Sequence, residues 1–268
     1  MLTLLLLFKI AVPPVLVALM SLAARRWGAT VGGLIMGLPW MTGPVVFFLA
    51  LDRGAEFGYR AAIGTELAVW SMCAFILAFG FASRIAPWWG SLPAAIAAFF
   101  ATAALTRGLD LPLWLAALVG AILLVATFNV LPRPRSTATP GALPWWDIPA
   151  RMACTFLLVA AIILSAERLG GQLSGIVASY PVILTVIGSF TLHQWGRDAL
   201  LRVLRGISLS LLSFVAFFLV MGEMIGKIGP VAAFALATPA AVGVSALLVA
   251  WTRRQARRQI LPTPSART

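Results

Sequence analysis

The sequence predicts an all-α polytopic membrane protein of about nine transmembrane helices, arranged as an inverted-topology repeat. Three observations carry this. The chain has 268 residues, is 61% hydrophobic and 10% charged, and has a mean hydropathy of +0.99. Soluble domains carry about 25% charged residues, so a soluble fold is excluded. The apolar runs are long, rich in Ala, Leu and Val, and interrupted by Gly and Pro. That suits helices in lipid and not the roughly ten-residue alternating strands of a membrane barrel. Finally, a pattern of Gly, Pro and Arg recurs at a constant offset of 142 positions.

Span one covers 2–24 and holds Lys9 and Pro13-Pro14. It is no signal peptide, because Arg25-Arg26 follow its apolar core, whereas a signal peptide has its positive charge first. Span two is 28–51 and opens with GATVGGLIMGLPWMTGP (28–44). Spans three, four and five are 59–82, 87–105 and 111–131. PRPRSTATPGALPWWD (132–147) is the one linker, ending in Trp145-Trp146 as an interfacial anchor. Spans six to nine are 148–166, 170–194, 200–222 and 229–251. Residues 1–106 form a first repeat of four helices and 107–131 a connecting helix. Residues 132–147 form a cytoplasmic linker, 148–252 a second, inverted repeat of four helices, and 253–268 a basic tail.

The net charge of +12 does not signal nucleic acid. The basic residues sit in short loops, where they set topology and meet anionic lipid headgroups. One side receives Arg25, Arg26, Arg84, Arg133, Arg135, Arg151, Arg197, Arg202, Arg205 and five tail arginines; the other receives Arg53, Arg60, Arg107, Arg168 and Lys227. Asp52, Glu56, Asp110, Glu167 and Glu223 lie on the sparse side. By the positive-inside rule the N-terminus is outside and the C-terminus cytoplasmic. The excess of Arg over Lys suits a bacterial source and hence the inner membrane. The sequence is compatible with a homodimer and calls for no cofactor. Cys73 and Cys154 lie in apolar spans without metal-ligand spacing and read as packing residues.

Aligned without gaps, residues 11–80 and 153–222 share 20 identities in 70 positions. The specific ones are Arg26/Arg168, Gly28/Gly170, Gly33/Gly175, Pro39/Pro181, Gly54/Gly196, Arg60/Arg202, Gly64/Gly206 and Gly80/Gly222, with Lys9 facing Arg151 as a charge match. Five spans separate equivalent points. An odd number turns the second copy over in the membrane, the arrangement of many secondary transporters. Helices 1–4 and 6–9 are the two copies, helix 5 lies between them, and helices 2 and 7 are broken or kinked.

The segment GQLSGIVASYPVILTVIGSFTLHQWGRDALLRVLRGISLSLLSF (171–214) resembles the GlpM family of small bacterial membrane proteins. It shares the Gly-then-Pro second span, a charged turn and a polar-started third span. The resemblance covers about 90 residues of each half. It implies a fused, inverted pair of small four-span units, and it carries over no active-site residues.

Pro39 and Pro44 in span two, and Pro181 in span seven, remove backbone donors and disfavour helix just before them. In lipid the freed groups need protein, water or ligand partners. Paired breaks in corresponding helices point to a substrate site near the midplane. It would be lined by Pro39, Trp40, Thr42 and Gly43 from one half and by Ser179, Tyr180, Pro181 and Thr185 from the other. Close packing through small residues accounts for the same pattern, and the two readings are compatible. Pro44 becomes Val186 in the second copy, so the second break is expected to be milder.

Glu66 is the one acid well inside a span. Intramembrane carboxylates mark ion or proton pathways, or ion pairs. Lys9 and Glu66 each lie about seven residues into spans that start at the outer face, roughly 10 Å deep. They are expected to approach each other near Arg60, as a structural pair or as a protonatable switch. In the second copy Glu66 becomes Ser208, Arg202 is kept and Arg205 is added. Arg60 and Arg202 open equivalent helices on opposite faces. Each can hold an anionic group by bidentate contact or snorkel as an anchor. His193, the single histidine, falls at a span end.

One histidine and one buried acid supply neither a metal site nor a nucleophile–base set, so an intramembrane enzyme ranks last. A transporter or lipid translocase ranks first, for a small or amphipathic, anionic substrate between helices 2 and 7, with proton coupling through Glu66. A non-transporting scaffold or assembly factor is the alternative.

Overall fold

The computed structural model describes residues 2–27, 39, 42–135, 144–178 and 180–260; for 2–10, 24, 25, 27, 163–178, 253 and 255–260 it describes the backbone alone. Trp40, Ser179, residues 28–38 of the glycine-rich stretch, 136–143 of the linker, the end of the tail (261–268) and the side chain of Lys9 lie outside the described residues.

The described chain is helical, with no strand among the described residues. Its helices are α1 (Leu2–Trp27), α2 (Thr42–Arg53), α3 (Ala55–Ala82), α4 (Trp88–Thr106), α5 (Leu113–Val130), α6 (Asp147–Ala178) and α7 (Val182–Ile260). Among the described residues, Ala55–Ala82, Trp88–Thr106, Leu113–Val130 and Val182–Thr252 are long and apolar enough to cross a membrane, and Ala11–Ala23 is a shorter apolar helix. Such helices are compatible with an integral membrane protein, and they satisfy their backbone groups internally, as lipid requires.

Glycine punctuates these helices. Gly54 alone separates α2 from α3, with φ 92° and ψ 169°. Gly196 (φ 74°, ψ −176°) and Gly229 (φ 80°, ψ 163°) divide α7 into segments 182–195, 197–228 and 230–260. A side chain at such positive φ costs about 1–2 kcal/mol, and glycine avoids that cost. Gly54 and Gly196 are 142 positions apart and adopt nearly the same conformation.

One expected boundary is not there. The sequence reading divided spans six and seven at 167–169, but α6 runs through these positions as one helix to Ala178. Charged Glu167 and Arg168 remove no backbone bond. Tyr180 and Pro181 are non-helical instead, and Pro181 has no N–H to give.

The bundle is built around α3, α5 and segment 197–228. A Cβ on Gly58 would meet Ile225, one on Gly222 would meet Leu113 and Ala62, and one on Gly80 would lie 2.6 Å from Leu131 Cδ2 and 3.5 Å from Leu204 Cδ1. Segment 197–228 therefore runs antiparallel to α3. Helix α5 lies against both, with Leu113 at one end and Leu131 at the other. Trp70 Nε1 donates to the Ala116 carbonyl at 3.1 Å, and Gly120 admits that indole. Close approach through small residues is how helices gain contact in lipid, where no hydrophobic driving force acts between them. Helix α4 packs on α3, and α1 packs on α6. In α4, Ser91, Ala95 and Phe99 are buried; 142 positions later, so are Ala233, Ala237 and Ala241.

The two ends of this core differ in charge. Arg84, Arg133, Arg135, Arg197, Arg202 and Arg205 gather at the Leu131 end with Asp198. Arg205 donates to the carbonyls of Phe128 and Leu131, at 2.7 and 2.8 Å, and so closes the C-terminus of α5. Trp251 reaches the same end, 6.2 Å from the Phe128 ring. The Leu113 end carries Arg53, Arg60, Arg107 and Lys227 alongside Asp52, Glu56, Asp110 and Glu223.

Candidate functional site

The residues expected to line a single site fall into separate surroundings. In the first half, Gly43 is buried and its N–H donates to the Pro39 carbonyl at 3.1 Å. A Cβ there would lie 3.2 Å from Phe217 Cζ. Phe47, one turn on, meets Phe234 at 4.9 Å. Thr42, at the start of α2, is half-buried. This half of the expected site is thus held against the third and fourth helices of the other half of the chain.

In the second half, Tyr180, Pro181 and Thr185 are all buried. The Tyr180 ring stacks on Phe100 (5.7 Å, 3°) and meets Phe75 at 6.3 Å and Phe99 at 5.6 Å edge-on. Thr185 Oγ1 donates to Tyr180 Oη at 2.7 Å. These residues lean on α3 and α4. Tyr180 and Leu184 belong to one buried apolar cluster, while Val46 and Ala50 belong to another. The break is aromatic and internally hydrogen-bonded, which sequence alone did not reveal.

Glu66 is fully buried on α3, and neither carboxylate oxygen has a hydrogen-bond partner among the described residues. An unpaired buried carboxyl is costly. Helix α1, which carries Lys9, packs on α6 and touches α7, with no contact to α3 among the described residues. Arg60 does not turn towards Glu66 either. It pairs with Glu56 at 2.8 Å, with both side chains mostly exposed. Arg202 is half-buried at the opposite end of the core. Ser208, the counterpart of Glu66, is fully buried and donates to the Leu204 carbonyl at 2.8 Å.

A polar site that the sequence reading missed lies at the Arg-rich end. Asp147 and Arg151, counted above as linker and loop charges, are 0% and 2% exposed. Arg151 Nε reaches both carboxylate oxygens of Asp147, at 3.0 and 2.9 Å. Its Nη2 donates to Gln194 Oε1 at 2.8 Å, and Gln194 Nε2 donates back to Asp147. The guanidinium stacks over Phe190 at 5.0 Å and Trp195 at 5.9 Å. The i,i+4 spacing of Asp147 and Arg151 was the available signal. This network ties the start of α6 to the segment that ends at the Gly196 break.

Cys73 is buried and Cys154 exposed; both are free thiols. His193 is exposed. Among the described residues no three His, Cys, Asp or Glu side chains gather as metal ligands. No known family model, curated protein or solved structure matches this chain.

Proposed function

We propose that the chain is a nine-span inner-membrane transporter made of two inverted copies, moving a small amphipathic solute with proton coupling through Glu66. The observation that carries this reading is reciprocal packing about α5. Gly80 abuts Leu204 and Leu131, while Gly222 abuts Ala62 and Leu113. Shifting 80 by 142 gives 222, and shifting 62 by 142 gives 204. A two-fold axis through the middle of α5 accounts for both contacts at once, and it exchanges α5's two ends. The matching breaks at Gly54 and Gly196 support the same axis. Inverted repeats with broken helices are a transporter architecture. The arginine excess at the Leu131 end supports placing that end, with the C-terminus, in the cytoplasm. Arg60 and Arg202 stand at opposite mouths, where each can meet an anionic group of the solute.

Glu66 is the coupling group in this reading. It is the buried acid that no cation or donor among the described residues satisfies. Protein reconstituted into vesicles on a solid-supported membrane should give a transient current after a pH jump, as protons enter and leave. Glu66→Gln should remove that current while the protein keeps its thermal midpoint. An undiminished current in the variant would take Glu66 out of the mechanism.

A scaffold is the second reading. It is favoured by the Tyr180–Thr185 hydrogen bond and the aromatic surround, which engage the Thr185 donor and bury both side chains. No charge movement from either protein would favour it.

A further inference from the structure

Among the described residues four buried serine hydroxyls lack a partner: those of Ser21, Ser71, Ser189 and Ser213. Two of them, Ser71 Oγ and Ser213 Oγ, are related by the offset of 142. Ser71 is 1% exposed and Ser213 0%. In a membrane helix a serine ordinarily donates back to a carbonyl one turn earlier, as Ser208 does. A buried hydroxyl left unsatisfied is destabilising. That the same orphan occurs at the same place in both halves argues against accident.

Both serines occupy the midpoint of the core. Ser71 is nine residues from Ala62 and from Gly80, and Ser213 is nine from Gly222 and from Leu204. Nine residues correspond to about 180° around a helix. Each serine therefore lies on the face away from the α3–197–228 seam, the face that meets the element on the other side. Helical spacing identifies that element. Phe75 stands one turn after Ser71 on the same face and touches the Tyr180 ring, beside Pro181. Phe217 stands one turn after Ser213 and abuts Gly43, whose N–H bonds Pro39. Phe75 and Phe217 are again 142 apart.

We infer that the substrate is not held in one pocket but in two repeat-related half-sites. One is Ser71 and Phe75 with Tyr180 and Pro181; the other is Ser213 and Phe217 with Gly43 and Pro39. This rests on the transporter reading and deepens it. Each half-site offers a hydroxyl, able to donate and accept, next to an aromatic wall, and the serine and phenylalanine bring no charge. The solute it fits is amphipathic, with an apolar body and a small hydrogen-bonding group. The two-fold relation directs the half-sites to opposite faces of the membrane.

Cysteine replaces serine with little change of volume, which allows a direct test. In a Cys73→Ala, Cys154→Ser background, Ser71→Cys and Ser213→Cys are each treated with the small impermeant sulfonate MTSES in right-side-out and inside-out vesicles. Cysteines replacing Glu56 and Asp198 are the topology controls. The expected result is that Ser71→Cys reacts from one face only and Ser213→Cys from the other only, with elution on gel filtration unchanged. If both stay unreactive from both faces, or both react from the same face, while the controls label from opposite faces, the half-site inference is overturned and the repeat reading stands. If the controls label from one face, the repeat reading itself falls and takes the half-sites with it. The double variant Ser71→Ala, Ser213→Ala should keep the wild-type thermal midpoint or raise it, since it removes two unsatisfied hydroxyls. A midpoint lowered by more than a few degrees would show that these hydroxyls are bonded within the fold, and would overturn the inference.

Discussion

Two halves of this molecule share a frame and differ at its centre. Gly54 and Gly196 break their helices in one conformation, and Gly80 and Gly222 close the two ends of α5. Among the described residues neither Ser71 nor Ser213 has a side-chain partner. Yet Glu66 is a buried acid with neither oxygen bonded among those residues, while its counterpart Ser208 is satisfied by its own helix. Gly54 and Gly196 meet a positive φ, and Gly80 and Gly222 a close approach, and each pair shares its residue type at the offset of 142. Glu66 and Ser208 differ at that offset, and the difference places a buried titratable group on α3.

The largest expected effect lies at a site that belongs to one half. Arg151→Ala would leave Asp147 buried without its cation, and breaking such a pair costs about 3–5 kcal/mol. Denaturation in mild detergent should show it as a large loss of stability, with Asp147→Ala behaving alike. A change near zero would mean that water reaches the pair. Next comes a matched test of the frame. Gly80→Ala and Gly222→Ala each force a methyl against a leucine of α5, and overpacking of this kind costs about 1–3 kcal/mol. Under the two-fold relation both costs should fall in that range. A large cost at one and none at the other would break the comparison.

The hinge glycines give a smaller matched pair. Gly54→Ala and Gly196→Ala place a side chain at positive φ and should each cost about 1–2 kcal/mol. No other atom crowds the added methyl at either position, so the penalty reports backbone conformation alone. The smallest effect is at the surface. Arg60→Ala removes an exposed pair with Glu56, and pairs of that kind contribute little. Its melting curve should overlay that of the wild type, and a clear shift would give Arg60 a structural role.

Most of the helices were legible in the sequence because each is a local matter, although the glycines that divide them stand there as loop positions and repeat markers. Leu113–Val130 is an uninterrupted apolar run bounded by Pro112, and Gly54 stands between charged turns. The offset of 142 was legible because it needs only one number, and Gly54 and Gly196, which it relates, adopt nearly the same backbone conformation. Partners were not. Arg151 read as a topology charge, yet it is buried under Phe190 and Trp195 from a segment about forty positions away. Nothing in the neighbours of Tyr180 announces that Phe75, Phe99 and Phe100 enclose it. The continuity of α6 past Glu167 was not legible because a pair of charges costs the backbone no hydrogen bond and sets no φ, unlike the glycines that divide the other helices.

The central claim is that the two halves lie in the membrane with opposite orientation. Glu56 and Asp198 test it most directly, being related by the offset of 142 and each two residues beyond a hinge glycine. Single cysteines at these positions, in a background lacking Cys73 and Cys154, are labelled with an impermeant maleimide in intact cells and in inverted vesicles. The account predicts that Glu56→Cys labels only from outside and Asp198→Cys only from the cytoplasmic side. Labelling of both from the same face would contradict it.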